Sequence, residues 1–339
     1  MDNLTHTLTA VALSQAGLNR KTRFATLALV LASNLPDIDL AIRFAGNATR
    51  FKYHRSYTES ILGVIVLAAL LAGAVYFFGR KAAPRRSGPP LDGRWLFGIC
   101  CIATATHLLM DFADSDGVRP FLPFSRRWYA WDIMFTFDLL LLTLLAIGLG
   151  LPAILHLVSE EVGAKKTGLR WGALFCLAAL VLLLGLRDFA HRRVLGLMEG
   201  HTYSGQDPQR LGAFPSPANP FEWTGVVETD SAYYVLPANA LDPDVNPEDA
   251  GVFRKPEPSP ALEAALKTHT AVIFSDFARF PWAQVRESEA GFAVSIRDLR
   301  YFSDVKRQRS FVVDVELDKD LRVRSETLSF SAPTRKGEF

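Results

Sequence analysis

Apolar and polar residues are distributed differently in the two halves of the chain. Up to about Arg187, long and nearly uncharged apolar stretches recur at short intervals. Beyond Arg187, charged, apolar and proline-rich segments alternate, as they do in a water-soluble fold. The pattern therefore predicts a membrane-embedded half that is followed by a soluble half.

Four apolar stretches in the first half are near the length that an α-helix needs to cross roughly 30 Å of hydrocarbon. They are predicted as transmembrane helices: Thr58–Gly79, Trp95–Ala113, Ile133–Val158 and Trp171–Leu186. Two shorter apolar segments, Leu4–Leu18 and Phe24–Leu35, come before them. We expect these two to form short N-terminal helices that enter the membrane beside the four spans, which completes an all-α membrane domain.

The second half carries the patterns of a small α+β fold. Asp188–Met198 predicts a short helix, and residues 208–220, with four prolines, predict an extended connector. A further helix is expected near Ala261–Lys267, and Asp318-Lys319-Asp320 suits a tight hairpin. β-branched and aromatic residues with alternating polarity predict mainly antiparallel strands at Glu222–Leu236, Ala271–Phe280, Gly291–Phe302, Ser310–Leu317 and Leu321–Phe330.

These elements predict three regions along the 339 residues. Residues 1–187 form a transmembrane helical domain that binds metal, as argued below. Residues 188–220 form a helix and a proline-rich connector, and residues 221–339 form a soluble β-rich domain.

Charge and cysteine usage exclude several classes of protein. The 37 Lys and Arg nearly balance the 35 Asp and Glu, for a net charge of +2, and no basic run with interleaved aromatic residues occurs, so no nucleic-acid partner is expected. The three cysteines, Cys100, Cys101 and Cys176, lie in apolar segments, which argues against disulfides and thiolate zinc sites. The N-terminal residues lack the basic region of a secretory signal, so we expect the transmembrane helices to direct insertion.

Basic residues cluster in alternate connections of the membrane half and predict its orientation. If these connections are cytoplasmic, the soluble domain and the other connections lie on the outer, periplasmic side of the bacterial inner (cytoplasmic) membrane. Several basic residues on the proposed outer side, among them Arg43 and Arg126, oppose this bias. The three basic connections contain Arg20, Lys21 and Arg23; Arg80, Lys81, Arg85, Arg86 and Arg94; and Lys165, Lys166 and Arg170.

Ionisable side chains at membrane depth are costly, so those that occur there are functional candidates. In the predicted topology most of them gather at the outer ends of their helices, and this convergence predicts a shared site. The candidates are His6, Asp37, Asp39, His54, Glu59, His107, Asp111, Asp132 and Asp138.

The spacing of two pairs indicates metal binding. His107 and Asp111 are four residues apart, so they share one face of a helix and are suited to bind one cation together. Imidazole and carboxylate ligands suit zinc and are acceptable to manganese or iron. Asp37 and Asp39 place two carboxylates on one turn, which suits a centre with two metal ions.

Structural roles compete with the functional ones at each position taken alone. His6 has the character of a capping group, and an Asp after a proline is more often a cap or turn residue. Glu59 suits the first turn of a helix, where the helix dipole favours a carboxylate. Asp132 and Asp138 are equally suited to pair with Arg126 or Arg127.

Short motifs in a fixed order give the chain a resemblance to a bacterial family of membrane-bound metal-dependent hydrolases, the YdjM-like group. They cover residues 1 to about 140, and residues 217–223 with the later strands are similar to the C-terminal region of longer members. The motifs are Met1-Asp2-Asn3-Leu4-Thr5-His6-Thr7-Leu8-Thr9, Ser33-Asn34-Leu35-Pro36-Asp37-Ile38-Asp39, His54-Arg55, His107-Leu108-Leu109-Met110-Asp111, and Pro123-Phe124-Ser125 with Trp128-Tyr129-Ala130-Trp131-Asp132.

The resemblance implies a distant relation to zinc-dependent phospholipase C and P1-type nucleases, which cleave phosphate esters at clustered metals. It implies one or two divalent ions, zinc before manganese or iron, held by His6, Asp37, His54, His107 and Asp111, with Asp39 as a further ligand or supporting carboxylate. The chain departs from the family at Thr58-Glu59-Ser60, where the family commonly has Thr-His-Ser. The departure puts activity in question more than fold.

Three functions remain open at this point. The first is hydrolysis of a phosphoester in a lipid or lipid-linked substrate, with Asp39 or Glu59 as the general base and the lipid bilayer as the partner surface. The second is a metal-stabilised membrane scaffold or regulator without turnover. The third is a transporter, which the short helices favour and the lack of an evident inverted repeat disfavours.

Overall fold

The computed structural model describes residues 1–39, 47–82, 88–162, 169–302 and 310–331. Four basic residues of the predicted cytoplasmic connections, Arg85, Arg86, Lys165 and Lys166, lie outside this described part, as does Arg43. The chain divides into two compact units. The first unit contains residues 1–41, 53–188 and 217–219, and the second contains residues 42–52, 189–216 and 220–339.

Two short helices and four long ones build the first unit. Four helices, α4 to α7, are long and apolar enough to cross a membrane, which confirms the predicted fold class of this half. The side chains of Asp2, Ser60 and Asp92 cap α1, α4 and α5 by accepting hydrogen bonds from backbone N–H groups. The helices are α1 (Asn3–Ala16), α2 (Ala25–Asn34), α3 (Asn47–Tyr53, in the second unit), α4 (Ile61–Gly79), α5 (Gly93–Ala113), α6 (Leu139–Val162) and α7 (Leu169–Glu199).

Small residues bring these helices close together. Ala10, Ala28, Ala68 and Ala103 are fully or almost fully buried in one cluster shared by α1, α2, α4 and α5. A Cβ atom on Gly172 of α7 would lie only 2.4 Å from the carbonyl oxygen of Gly148 in α6. Such close backbone approach is how helices gain van der Waals contact in lipid, where no hydrophobic force drives them together.

The last two spans differ from their predicted bounds. α6 begins at Leu139 rather than Ile133, because the backbone N–H groups of Ile133 and Met134 donate to the carbonyl of Ala113 and hold this segment extended. Asp138 then caps α6 by accepting from the N–H of Leu141, at 2.9 Å. α7 continues without a break to Glu199, so the prediction of a separate short helix at 188–198 was wrong.

Two antiparallel sheets form the second unit, as the predicted α+β class requires. The strand orders are β1-β2-β3-β4 and β5-β6-β7-β8, so each sheet is a simple meander. Buried residues of α8 and α9, including Ala265 and Phe274, pack with Val294 and Val313 of the second sheet. The elements are β1 (Arg210–Pro215), β2 (Glu222–Glu228), β3 (Ala232–Asn239), β4 (Gly251–Arg254), α8 (Pro260–Leu266), α9 (His269–Phe277), β5 (Pro281–Ser288), β6 (Gly291–Asp298), β7 (Ser310–Leu317) and β8 (Val323–Ser331).

Three of the element predictions in this unit were wrong. Residues 271–280 form most of helix α9 instead of a strand. Residues 222–236 form two strands joined by a turn, with Val226 paired to Val235. The proline-rich segment 208–220 contains β1, which pairs with β2 along its length, so it is more than a connector. The remaining predictions of β6, β7, β8 and α8 were confirmed to within a few residues.

Candidate metal centre

The side chains of seven predicted site residues meet at one end of the helices in the first unit. His6 lies near the start of α1 and Glu59 just before α4, whereas His107 and Asp111 lie near the end of α5. Within each of three overlapping groups, one potential ligand atom per residue lies within 4.8 Å of the others. The groups are His6, His107 and Asp111; Asp37, Glu59, His107 and Asp111; and Asp39, His54 and Glu59.

Asp111 is the point at which the two histidines meet. His6 Nε2 lies 3.2 Å from Asp111 Oδ1, and His107 Nε2 lies 3.5 Å from Asp111 Oδ2. His107 Nδ1–H donates to the carbonyl of Ser33 at 2.7 Å. In the neutral imidazole this bond leaves the lone pair on Nε2, which is how a metal-ligating histidine is usually oriented.

The turn after α2 supplies two carboxylates. Asn34, the last residue of α2, donates from its amide to Thr7 Oγ1 at 2.9 Å and so ties the end of α2 to α1. Asp39 Oδ2 accepts from the backbone N–H of Arg55 at 2.9 Å, and Asp39 Oδ1 lies 3.4 Å from His54 Nδ1. These contacts place Asp37 and Asp39 beside the segment that precedes α4, although α2 and α4 are separate in sequence.

Glu59 lies at the centre of the cluster, fully buried. It belongs both to the group with Asp37, His107 and Asp111 and to the group with Asp39 and His54. Burial, reinforced by the charge of Asp111, raises the pKa of Glu59 well above its ordinary value. Burial likewise raises the pKa of Asp37. A carboxylate at this position therefore needs positive charge nearby to remain ionised.

Several polar atoms of the cluster have no hydrogen-bond partner within the described part of the chain, although they are buried. They are His6 Nδ1, Asp37 Oδ2, both carboxylate oxygens of Glu59, His107 Nε2 and Asp111 Oδ2. Buried polar atoms in native proteins are nearly always paired, so each exception requires an explanation, such as a bound ion. Nitrogen and oxygen atoms of imidazole and carboxylate are a donor set that fits zinc, manganese or iron.

Two cationic groups border the cluster, and sequence reasoning did not assign them a role. Arg55 Nη2 lies 2.9 Å from Asp114 Oδ2, and Arg55 Nε lies 3.7 Å from Asp111 Oδ2. The amino group of Met1 contacts Asp111 and lies 3.4 Å from Asp114. In the sequence, Arg55 could be linked to the site by its position next to His54, and its partner Asp114 by its position one helical turn after Asp111.

Asp132 and Asp138 do not belong to the three ligand groups among the described residues. Asp138 Oδ2 lies 2.7 Å from Arg187 Nη2, with both side chains fully buried. Of the two alternatives for Asp138, the structural one is therefore correct in kind, with Arg187 as the partner in place of Arg126 or Arg127. The partner comes from α7, because Arg187 lies beside the start of α6, where Asp138 is located.

The described elements define a class of protein: a multi-pass membrane protein with a buried His and carboxylate cluster at one end of its helices and an additional α/β domain. The chain belongs to the family of the YdjM inner membrane protein, whose family model matches residues 1–192. A second family model, the YfhP C-terminal alpha/beta plait domain, matches residues 260–335.

The chain is also similar to the uncharacterized protein YfhP of Bacillus subtilis (strain 168). The two are 26% identical over 346 residues, which cover 96% of this chain and 94% of the relative. No solved structure matches the chain. The predicted YdjM-like membership and the membrane location are thus confirmed, whereas the hydrolase activity and the relation to phospholipase C and P1 nucleases stay predictions.

Proposed function

We propose that the chain is a metal-dependent hydrolase of the membrane that cleaves phosphoester bonds in a lipid or lipid-linked substrate. The observation that supports this most directly is the set of buried imidazole and carboxylate atoms on His6, Asp37, Glu59, His107 and Asp111 that accept or donate no hydrogen bond within the described residues. Each buried polar atom left without a hydrogen bond costs about 1–3 kcal/mol, which a bound cation would relieve. This cost supports the proposal that the cluster binds an ion.

The proposed ligands divide into two overlapping sets. His107 and Asp111, which share one group with His6 and another with Asp37, would hold one divalent ion with these two residues, most suitably zinc, with manganese or iron as alternatives. Asp39 and His54 would hold a second ion. Glu59 belongs to groups on both sides and would bridge them.

The bound metal supplies an activated water and positive charge for the phosphoryl oxygens. The chain's own carboxylates would handle the proton. Asp39 is oriented by the N–H of Arg55 and lies against the partly exposed His54, so in a site with a single ion it is placed to accept a proton and pass it toward the surface. Glu59 would be the general base if it does not bridge two ions.

The charge of the connections supports an outer location of the proposed site. Arg20, Lys21 and Arg23 follow α1, and Arg80 and Lys81 follow α4. Both groups lie at the helix ends opposite to the cluster. If these ends are cytoplasmic, the cluster and the soluble domain face the periplasmic side.

A non-catalytic, metal-stabilised scaffold is the second candidate, and two features favour it. Arg55 already offsets part of the negative charge of Asp111 and Asp114. Glu59 also stands where the family commonly has a histidine. A site of this kind would tie the ends of α1, α2, α4 and α5 together without turnover.

Metal analysis of the purified full-length protein in detergent separates these possibilities. We expect zinc, manganese or iron in the wild type and its loss in His107→Ala, Asp111→Ala and Asp37→Ala, with His156→Ala in α6 as a matched control that retains it. Hydrolysis of bis-p-nitrophenyl phosphate should fall to background in the three variants, and the double change His107→Ala with Asp111→Ala should do little more. Metal without hydrolysis of any phosphoester would favour the scaffold, and full metal content in all three variants would disprove the shared site.

A further inference from the structure

An apolar groove lies beside the cluster, between the start of α4, the end of α5 and the segment 118–129. Its volume is about 590 Å³. Ile61 and Ile65 of α4 line one wall, Leu108 and Leu109 of α5 another, and Phe121 closes the third. Most of the lining side chains are aliphatic or aromatic, and Thr104 and Tyr129 are the residues with a hydroxyl group among them.

The groove reaches the depth of the proposed metal ligands. Ile61 follows Glu59 by two residues, and Leu108 directly follows His107. The N–H of Ile61 donates to the carbonyl of Pro120 at 2.9 Å, which fastens the segment 118–129 to the start of α4. The ring of Phe121 packs edge-on against Tyr129, with centroids 5.4 Å apart. One end of the groove thus lies at the level of Glu59 and His107 along α4 and α5, although the cluster residues do not line it.

The side of the groove away from the protein faces the bilayer. Ile65 is 48% exposed and Leu109 is 50% exposed, and both lie on helices that are long and apolar enough to span the membrane. In the membrane such side chains contact acyl chains. The groove is therefore continuous with the lipid-facing surface of α4 and α5.

The size of the groove favours a thin occupant over a helix from another protein. An α-helix with its side chains is about 10 Å across, so ~590 Å³ would hold only roughly 7 Å of it, or about five residues. A single hydrocarbon chain is much narrower and would lie along the groove with most of its length enclosed. Each buried CH₂ group of such a chain contributes about 0.8 kcal/mol.

We propose that this groove binds one acyl chain of the substrate, so that the substrate class is a membrane lipid whose phosphoester reaches the cluster from the bilayer. The inference rests on the proposed function and adds a specificity for substrates that carry an acyl chain. The acyl chain lies between α4 and α5, and the headgroup lies at the level of Glu59 and His107. The groove would select lipids over soluble phosphoesters by holding their chains.

Filling the groove tests this directly. Ala105→Trp and Ile65→Trp place an indole in the groove, whereas Leu70→Trp places one on the exposed face of α4 outside it. In mixed micelles we expect the first two variants to cleave a dipalmitoyl phospholipid at least tenfold more slowly, with unchanged hydrolysis of bis-p-nitrophenyl phosphate and unchanged metal content. Leu70→Trp should behave as the wild type. Equal loss on both substrates, or no loss on the lipid, would overturn the inference.

A second measurement does not depend on turnover. Vesicles containing phosphatidylglycerol with a diazirine on one palmitoyl chain are irradiated with the full-length protein, and the labelled peptides are identified. We expect label concentrated on residues 61–65, 108–109 and 121 and its loss in Ala105→Trp. Even labelling of all exposed positions on α4 to α7, or recovery of a second polypeptide crosslinked to these residues, would overturn it. Label in the groove without hydrolysis of any phosphoester would disprove the proposed function and leave the lipid site standing.

Discussion

The imidazole rings of His6 and His107 stack on one another, with centroids 4.0 Å apart and planes inclined by 24°. Both rings are almost fully buried, and both present Nε2 to Asp111. The two imidazole rings pack against each other and direct nitrogen atoms toward the same carboxylate. In the proposed site the stack would therefore stabilise the fold and also supply nitrogen ligands, and substitutions separate these two roles.

His6→Phe should lose metal while keeping the protein folded. Phenylalanine retains an aromatic ring to stack on His107 but offers no nitrogen to a cation. We expect bound metal to fall to background in His6→Phe, with a melting temperature close to that of the metal-free wild type. His6→Ala should lose metal and also unfold at lower temperature, because it leaves a cavity where the ring stood.

The control for this pair is His156→Phe, the same chemical change in α6. It should keep wild-type metal content. Metal retained in His6→Phe would show that the stack is structural and that His6 is no ligand.

Substitutions of Glu59 show whether it is a bridging metal ligand or a carboxylate that stabilises the start of α4. If it binds metal, Glu59→His should keep or tighten binding, since imidazole is a good ligand for zinc, whereas Glu59→Ala should lose most of the metal. Glu59→Gln keeps the shape but removes the charge, and we expect it to weaken binding at least tenfold. The measurement is metal content after dialysis against graded chelator.

Ser60 supplies the internal comparison for Glu59, because it is the residue that caps α4 through a bond from the N–H of Gly63. Ser60→Ala should lower the melting temperature with little effect on metal. Unchanged metal in Glu59→His and Glu59→Ala alike would assign Glu59 to the helix terminus instead.

The sequence located the helices of the first unit well because long apolar runs in a membrane permit little besides helix. It also singled out the residues that cluster in the structure, since a His or Asp at the end of an apolar run is conspicuous. The ion pair between Arg55 and Asp114 was not predicted, because these side chains come within 2.9 Å of each other only when α4 and α5 are packed together. Contacts of this kind depend on tertiary structure, and no local pattern encodes them.

Residues 271–280 show how local propensity misled the prediction of the second unit. Val272, Ile273 and Phe274 favour a strand by residue type. Thr268, however, caps a helix by accepting from the N–H of Ala271, and the buried positions Ala271, Phe274 and Phe277 recur every three residues. The helical spacing and the cap together outweigh the propensity, because they bury one face against the second sheet.

The orientation of the membrane half is tested by reporter fusions. A periplasmic reporter such as alkaline phosphatase, fused after Phe339, should be active, and the same reporter inserted near Pro89 should be inactive. A cytoplasmic reporter should give the opposite result at both positions. If the periplasmic reporter is active at Pro89, the orientation is reversed and the His and carboxylate cluster lies on the cytoplasmic side.

Acid should weaken the second unit through Glu228. Its carboxylate accepts from Lys255 Nζ and Arg210 Nε, each at 2.8 Å, and these two cations outweigh burial and lower the pKa of Glu228 below its ordinary value of 4.5. A lowered folded-state pKa gives stability that is present above the unfolded-state pKa and is lost as pH falls through the folded-state value. Glu228→Gln should therefore cost about 1 kcal/mol at neutral pH and progressively less below about pH 4.5, as measured by thermal unfolding of the full-length protein. A difference that does not change with pH would contradict this.

The ion pair between Asp138 and Arg187 should be the most sensitive polar contact in the membrane half outside the metal cluster. Both side chains are fully buried, with Asp138 Oδ2 2.7 Å from Arg187 Nη2. Asp138→Asn takes from Arg187 the carboxylate that lies 2.7 Å from it in a low-dielectric site, so it should lower the free energy of unfolding by about 3–5 kcal/mol although the amide oxygen still caps α6. The double change Asp138→Asn with Arg187→Met should recover part of this loss, because it removes the buried guanidinium charge as well. Glu263→Gln, which breaks an exposed pair with Lys267, serves as the control and should change stability by less than about 1 kcal/mol.

The stability of all these variants is measured by unfolding in detergent with increasing SDS. Equal stability of Asp138→Asn and the wild type would show that the pair contributes nothing to folding.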